Sequence, residues 1–248
     1  MSHDSHTAVS FEDVSKSFGP KKVLSDVSFE VAAGEALCIL GRSGTGKSVT
    51  LKLIIALLKP DAGKIWIEQD EITNFREQDL SRVRRKMGFL FQDAALFDSV
   101  TVYENLALPL IRLTNKSRDE IDFLVDKVLR QVGLAADKKT MPSELSGGMR
   151  KRAGLARALV LEPKILLADE PSSGLDRITA AEIDELLLQQ KAERQTTLII
   201  VTHDVHGARR VGDRFAVFDH GNLISHGTAA EVEHSDNEIA RELISLSC

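Results

Sequence analysis

The apolar residues of the chain fall into short runs separated by polar turns. Four runs of four or five residues, each typical of a buried strand, lie at positions 36–40, 87–91, 165–168 and 198–201. The segment 9–31 alternates apolar and polar residues, and positions 65–67 continue its pattern. Two further runs at 216–218 and 223–224, joined across Gly221, predict a closing hairpin. The pattern therefore predicts a β-rich start followed by the strands of an α/β domain.

Between the second and third of these buried runs lies a stretch, 93–160, that lacks strong strand signals. Ser117 and Glu120 have the spacing of a capping box at a helix start, and Gly133 is placed to end that helix. Six apolar residues between them recur on one helical face: Ile121, Leu124, Val125, Val128, Leu129 and Val132. A second helix, rich in Leu and Ala, is predicted around 180–190. The sequence thus predicts a helical lobe inserted into the α/β domain.

Composition narrows the class of protein. The 248 residues are 43% hydrophobic and 28% charged, which suits one globular domain with an inserted lobe. The net charge is −5 and the pI is about 5.8, whereas nucleic-acid-binding proteins usually carry a basic patch and have a high pI. No nucleic-acid partner is therefore expected. The basic run 150–152 is interpreted as a solvated helix face. The polar start shows no secretory signal, and the apolar run 53–58 is far shorter than the ~20 residues of a membrane span.

The two cysteines occupy very different positions. Cys38 lies inside a predicted core strand, and Cys248 is the last residue. No disulfide is therefore expected, and a reducing compartment is favoured.

A phosphate-binding loop follows the strand predicted at 36–40. Its residues are Gly41, Arg42, Ser43, Gly44, Thr45, Gly46, Lys47 and Ser48, and a predicted helix follows them at 49–55. Glycines let the backbone turn tightly so that its N–H groups form an anion nest, and the helix N-terminus adds partial positive charge. Lys47 is expected to bind the β- and γ-phosphates of ATP, and the Ser48 hydroxyl is expected to bind Mg²⁺.

Polar residues at other strand ends extend the candidate catalytic set. Asp169 is expected to hold Mg²⁺, and Glu170 beside it is expected to polarise the attacking water. Gln92 is expected to sense Mg²⁺ or the γ-phosphate, and His203 is a candidate contact of the γ-phosphate. Phe18 either stacks on a nucleotide base or fills the core, and the sequence favours neither role.

The ordered set of motifs resembles an ATP-binding subunit of an ABC transporter, from about residue 8 to residue 230. The set comprises the phosphate loop, Gln92, Leu145-Ser146-Gly147-Gly148, Asp169-Glu170, Ser173-Gly174-Leu175-Asp176 and His203. The resemblance implies a P-loop NTPase (RecA-like) core at 8–92 and 161–230 with an antiparallel β subdomain. It also implies a helical lobe at about 93–160 and a C-terminal tail at 231–248.

Two such subunits of that family sandwich two ATP molecules. The resemblance implies that Ser146, Gly147 and Gly148, at a helix N-terminus, cap the γ-phosphate bound by the other copy. Asp176 is carried over as a further residue of the nucleotide site. The resemblance also implies a separate transmembrane permease, reached through the lobe after Gln92. The chain would then sit at the cytoplasmic face of the inner (plasma) membrane.

Three segments resemble the ATPases of Mce-type (Mla-like) phospholipid transporters. They are 48–52, 91–97 and 142–152, with a methionine at 149 where most ABC subunits carry glutamine. Arg177 departs from the proline common at that position. This resemblance implies a lipid cargo and an Mce-domain lipid-binding partner. The alternatives are an ABC transporter for amino acids, ions or drugs, and a soluble ABC ATPase acting on ribosomes or DNA.

Overall fold

The computed structural model describes residues 6–245, so Cys248 and the last residues of the expected tail lie outside the described residues. The strands of this part are β1 (Thr7–Phe18), β2 (Lys21–Ala32), β3 (Ala36–Gly41), β4 (Ala62–Ile67), β5 (Asp70–Glu71), β6 (Met87–Leu90), β7 (Ile165–Asp169), β8 (Thr197–Val201), β9 (Arg214–Asp219) and β10 (Asn222–Gly227). Its α-helices are α1 (Lys47–Ile54), α2 (Glu77–Arg84), α3 (Val102–Leu113), α4 (Arg118–Gln131), α5 (Gly147–Leu159), α6 (Arg177–Arg194), α7 (Val205–Val211), α8 (Ala229–Glu233) and α9 (Glu238–Ser245). Single 3₁₀ turns lie at Ala135–Asp137 and Pro142–Glu144.

The strands form two sheets. The first is antiparallel, in the order β2-β1-β4-β5, and confirms the predicted β-rich start. The second has the order β10-β9-β3-β8-β7-β6, in which only β10 runs antiparallel to its neighbour. The predicted closing hairpin is β9–β10, turning at His220 and Gly221, both with positive φ. The carboxyl ends of β3, β6, β7 and β8 therefore meet at one edge of the second sheet.

The six-stranded sheet is buried on both faces. Because successive side chains of a strand point to opposite faces, β3 contributes side chains to a hydrophobic core on each face of the sheet. Leu37 and Ile39 pack with α1 and the antiparallel sheet, whereas Cys38 and Leu40 pack with the helical side. Continuous apolar runs in the sequence are what such doubly covered parallel strands require.

Residues 93–160, all of which are described, form helices and turns and contain no strand. The predicted capping box of α4 is confirmed: Ser117 Oγ accepts from the Glu120 N–H at 3.3 Å, and a Glu120 carboxylate oxygen accepts from the Ser117 N–H at 2.7 Å. Gly133 follows the helix with φ +70°, as a helix end requires. The loop before α3 is held by the buried Asn105, which bonds both the N–H and the carbonyl of Phe97.

The segment expected as a C-terminal tail is packed where the structure describes it. Its predicted start at 231 falls inside α8. Val232, Ala240 and Ile244 are buried in the same core as the helical side of the large sheet. Arg209 of α7 ties the segment down by pairing with the Glu233 carboxylate and donating to the Ile244 carbonyl. Within residues 6–245, no helix is both long and apolar enough to cross a membrane.

Candidate active site

A cavity of about 730 Å³ opens at the edge where the parallel strands end. Its lining includes the phosphate loop and the start of α1, together with the predicted residues Phe18, Gln92, Glu170 and His203. Phe18 comes from the end of β1 in the antiparallel sheet. The carboxyl ends of parallel strands share one edge, and this brings the loop, Gln92, Glu170 and His203 together. In open α/β sheets, this edge is where ligands bind.

The glycines of the phosphate loop are required by close backbone contacts. A Cβ on Gly41 would lie 2.3 Å from the Phe218 carbonyl oxygen, and one on Gly46 would lie 2.7 Å from the Val23 carbonyl oxygen. Gly46 has φ +104° and precedes the first residue of α1. Larger residues at these two positions would push the loop away from the sheet, so the anion nest depends on glycine there.

Lys47 is held at the centre of the loop. Its Nζ donates to the carbonyl oxygens of Gly41 at 2.8 Å and Arg42 at 2.9 Å. Burial lowers the pKa of Lys47, and the nearby carboxylates of Glu170 and Asp169 oppose that shift. Thr45 braces the loop by donating its hydroxyl to the Arg42 carbonyl at 2.9 Å.

The two predicted metal-binding oxygens face each other. Ser48 Oγ donates to Asp169 Oδ1 at 2.9 Å. Burial raises the pKa of Asp169, opposed by this hydrogen bond. A hydroxyl and a carboxylate are the hard oxygen ligands that Mg²⁺ prefers, so the pair fits the ion. Gln92, the third predicted metal residue, is exposed and lines the same cavity.

Glu170 and His203 both line the cavity and form a hydrogen-bonded pair. Glu170 Oε2 lies 2.8 Å from His203 Nδ1 and 3.4 Å from the His203 backbone nitrogen. The Glu170 backbone is left-handed, with φ 49°, and its N–H donates to the Val201 carbonyl at 2.8 Å. A carboxylate anchored in this way can accept a proton from a water molecule in the cavity.

Phe18 is not a core aromatic. Its side chain is 47% exposed and lines the cavity, with Lys16 Nζ 5.6 Å from the ring centroid. The core alternative for this residue is therefore wrong. Base stacking by Phe18 stays a prediction.

The predicted nucleotide residues that lie beyond the phosphate loop in the sequence do not line this cavity: Ser146, Gly147, Gly148 and Asp176. Ser146 caps α5, where its Oγ accepts from the Met149 N–H at 3.3 Å. Asp176 caps α6, and its carboxylate accepts from the N–H groups of Ile178 at 3.0 Å and Thr179 at 3.1 Å. Within one chain, these residues lie at helix starts outside the phosphate loop's cavity.

Sequence reasoning missed Lys151. The interpretation of 150–152 as a solvated face is wrong for this residue, which is 7% exposed. Its Nζ donates to the Glu170 carbonyl at 2.9 Å and lies 3.2 Å from Ser173 Oγ. A signal did exist: Lys151, Gly154 and Arg157 are three residues apart and therefore share one face of α5.

A protein-family model described as ABC transporter matches residues 24–173, more than half of the chain. The chain belongs to the ABC transporter family.

Two relatives are similar to this chain over nearly its whole length. "Probable ribonucleotide transport ATP-binding protein mkl" of Mycobacterium leprae is 43% identical over 96% of this chain and 68% of its own length. "Methionine import ATP-binding protein MetN 1" of Bacillus cereus is 41% identical over 90% of this chain and 66% of its own length. The chain thus spans about two thirds of the length of these relatives.

Solved ABC structures confirm the predicted fold. A dimeric post-hydrolysis structure of the ATP-binding cassette MJ0796, bound to ADP and Pi, has a TM-score of 0.83 and 33% identity, covering 89% of this chain and 98% of its own. Clostridium perfringens cbiO1, described as part of a cbiONQ transporter complex, has a TM-score of 0.82 and 28% identity, covering 96% and 99%. The chain is accordingly a nucleotide-binding ATPase of the ABC family.

Proposed function

We propose that this ABC ATPase acts as a homodimer in which two chains enclose two ATP molecules. The supporting observation is the separation within one chain: the phosphate loop, Glu170 and His203 share a cavity that Ser146, Gly147 and Gly148 do not line. A second copy would bring its helix start to that cavity and supply N–H groups to the γ-phosphate. The relative MJ0796 is described as a dimer, which agrees with this arrangement.

The contacts of each residue support the roles that we propose for it. Lys47 and the loop N–H groups bind the β- and γ-phosphates, and Phe18 stacks on the base. Ser48 and Asp169 hold Mg²⁺, which neutralises phosphate charge when bound, and Gln92 reports its presence to the lobe. Glu170 accepts the proton of the attacking water, while His203 orients that carboxylate and faces the γ-phosphate.

The Glu170→Gln variant tests the catalytic proposal. An amide of the same shape cannot accept the proton, so we expect kcat to fall about 10²- to 10⁴-fold while the Kd for ATP stays near the wild-type value. The variant should also form an ATP-dependent dimer, measured as a doubled mass by light scattering. Glu185→Gln, at an exposed position of α6, is the matched control and should keep wild-type turnover. Wild-type turnover by Glu170→Gln would refute the role of Glu170.

We further propose that the helical lobe binds a separate transmembrane permease at the cytoplasmic face of the inner membrane. The lobe exposes large apolar side chains: Phe97 is 52% exposed, Ile111 60% and Phe123 63%. Exposed aromatic and aliphatic residues grouped in one lobe suit a protein interface. The loop carrying Phe97 begins at Gln92, so the nucleotide site and this surface share one segment of chain.

The cargo that we propose is a phospholipid, with an Mce-domain lipid-binding protein in the complex. The support is the resemblance of segments 48–52, 91–97 and 142–152 to Mce-type ATPases, including the methionine at 149. Other cargoes have support of a different kind. The names of the relatives above refer to ribonucleotide transport and methionine import, which favours a small-molecule cargo as the second candidate.

A pull-down of the tagged chain from gently solubilised membranes separates these candidates. Mass spectrometry would identify both the proteins and the lipids that co-purify. A permease with an Mce-domain protein and enriched phospholipid supports the lipid cargo. A permease with a small-molecule-binding protein supports the second candidate and refutes the first. Recovery without any membrane protein would favour a soluble ABC ATPase.

A further inference from the structure

Helix α5 joins two parts of the proposed machinery. Its N-terminus carries the residues proposed to cap the partner's ATP, and Lys151, about one turn later, reaches Glu170 of its own chain. We propose that Lys151 is a positioning residue that holds the Glu170 backbone in place for hydrolysis and couples it to movement of α5. This inference rests on the proposed role of Glu170.

The first support is the conformation of Glu170. A residue with a Cβ is disfavoured in the left-handed region, and its φ of 49° must be maintained by neighbouring contacts. The Glu170 carbonyl accepts from Lys151 Nζ at 2.9 Å, from Ser173 Oγ at 3.0 Å and from the Ser173 N–H at 3.2 Å. Lys151 is the only one of these three donors that comes from another element.

The second support is the cost of burying this cation. Within residues 6–245, no carboxylate oxygen lies within ion-pair distance of Lys151 Nζ, so its hydrogen bonds go to the Glu170 carbonyl and Ser173. Burial lowers the pKa of Lys151, and the charges of Asp93, Glu170 and Asp169 oppose that shift. An apolar side chain would avoid the desolvation cost of a buried ammonium group. What the lysine adds is a charged donor aimed at the backbone of Glu170.

The third support is a further contact on the same face of α5. Arg157 donates to the carbonyl oxygens of Ala94 at 3.0 Å and Ala95 at 2.6 Å, in the loop that follows Gln92. A Cβ on Gly154 would lie 2.7 Å from Ala94 Cβ, so helix and loop are in close contact. Helix α5 is continuous over its 13 residues and links these contacts to its N-terminus. A shift at its N-terminus would therefore reach both Glu170 and the loop after Gln92.

The test compares Lys151→Met and Lys151→Gln in the full chain. Methionine fills the same space without a donor, so we expect kcat to fall about tenfold or more, with the Kd for Mg·ATP unchanged within about twofold. Glutamine keeps a neutral donor and should recover part of kcat. Arg152→Met is the matched control, because Arg152 pairs with Glu182 and does not reach Glu170.

The single-turnover rate of hydrolysis in a Glu170→Gln background distinguishes a positioning role from a purely structural one. If Lys151 acts through Glu170, adding Lys151→Met there should cause little further loss. An equal loss in both backgrounds would overturn the proposal, as would wild-type kcat in Lys151→Met. A fall in kcat accompanied by weaker ATP binding and a lower melting temperature would also overturn it. The Glu170→Gln rate alone tests the proposed base, so the two hypotheses fail separately.

Discussion

The hydroxyl of Ser48 is the group through which we propose that this residue binds Mg²⁺. This hydroxyl lies 2.9 Å from a carboxylate oxygen of Asp169, to which it donates a hydrogen bond, and Ser48 itself lines the cavity. The proposed metal ligation depends on the hydroxyl and not on the size of the side chain. Variants that remove or keep the hydroxyl therefore test the metal site directly.

Ser48→Ala should raise the Mg²⁺ concentration for half-maximal ATPase activity by about tenfold, because one protein ligand of the ion is lost. Ser48→Thr keeps the hydroxyl and should stay close to wild type. The measurement is a titration of Mg²⁺ at fixed ATP. Identical titration curves for the alanine and threonine variants would contradict the assignment of Ser48 as a metal ligand.

Asp184 on α6 predicts a pH-dependent stability. The residue is 6% exposed, and this burial raises its pKa to about 6. The charge of Asp204 also raises the pKa, whereas Arg210, 3.5 Å away, and His206 lower it. The unfolded carboxyl titrates near 3.8, so between about pH 4 and pH 6 the folded chain binds more protons than the unfolded chain. The contribution of Asp184 to stability is therefore lost as pH rises through about 6.

Asp184→Asn removes that titration. Relative to wild type, the variant should gain about 3 kcal/mol in free energy of unfolding between pH 4 and pH 7. Denaturant unfolding of both proteins at several pH values measures the difference. Parallel profiles would show that the carboxylate is equally ionised in the folded and unfolded chains.

At the scale of elements, α5 and α6 approach each other through Gly148. A Cβ there would lie 2.5 Å from Thr179 Cγ2, whereas a Cβ on the neighbouring Gly147 would lie 3.9 Å from Leu175. The glycine at 148 is therefore required by packing, independently of any contact with nucleotide. This separates a stability effect from a catalytic one at the same position.

Gly148→Ala should lower the free energy of unfolding by about 1–3 kcal/mol through overpacking. Adding Thr179→Ser removes the methyl group that clashes and should restore most of the loss, while the remaining hydroxyl still bonds Asp176. Gly147→Ala is the control and should be nearly neutral. Chemical denaturation gives the free energy of unfolding of the wild type and the three variants. A double variant no more stable than Gly148→Ala would show that the strain lies elsewhere.

The sequence predicted most elements because their signals are local. Strands covered on both faces appear as short apolar runs, and α4 was marked by its capping box. Lys151 was misinterpreted because consecutive residues of a helix point about 100° apart. The basic run thus contains one buried side chain beside the exposed Arg150. Which side of a helix is covered depends on tertiary packing, and a charged run does not reveal it.

For the whole molecule, the predicted site was partly assembled by topology alone. Parallel strands end at one edge, so the loop, Gln92, Glu170 and His203 meet there. Phe18 was undecided because an aromatic at a strand end suits both a core and a ligand. The helix α9 was missed although Ala240, Leu243 and Ile244 have the spacing of one helical face, because its eight residues are fewer than the window over which helical periodicity is judged. The contribution that we propose for a second copy cannot be obtained from the fold of one chain, because Ser146, Gly147 and Gly148 do not line its cavity.

The central position of Cys38 makes its thiol a reporter of global opening. Strand β3 lies between β8 and β9, the side chain is fully buried, and burial raises its pKa to about 12. Alkylating reagents attack the thiolate, so modification requires these strands to separate. At pH 8, labelling of the Cys38 peptide should accelerate with denaturant in step with unfolding and slow when ATP is added. Rapid labelling of the native chain would show that the central strands separate without global unfolding.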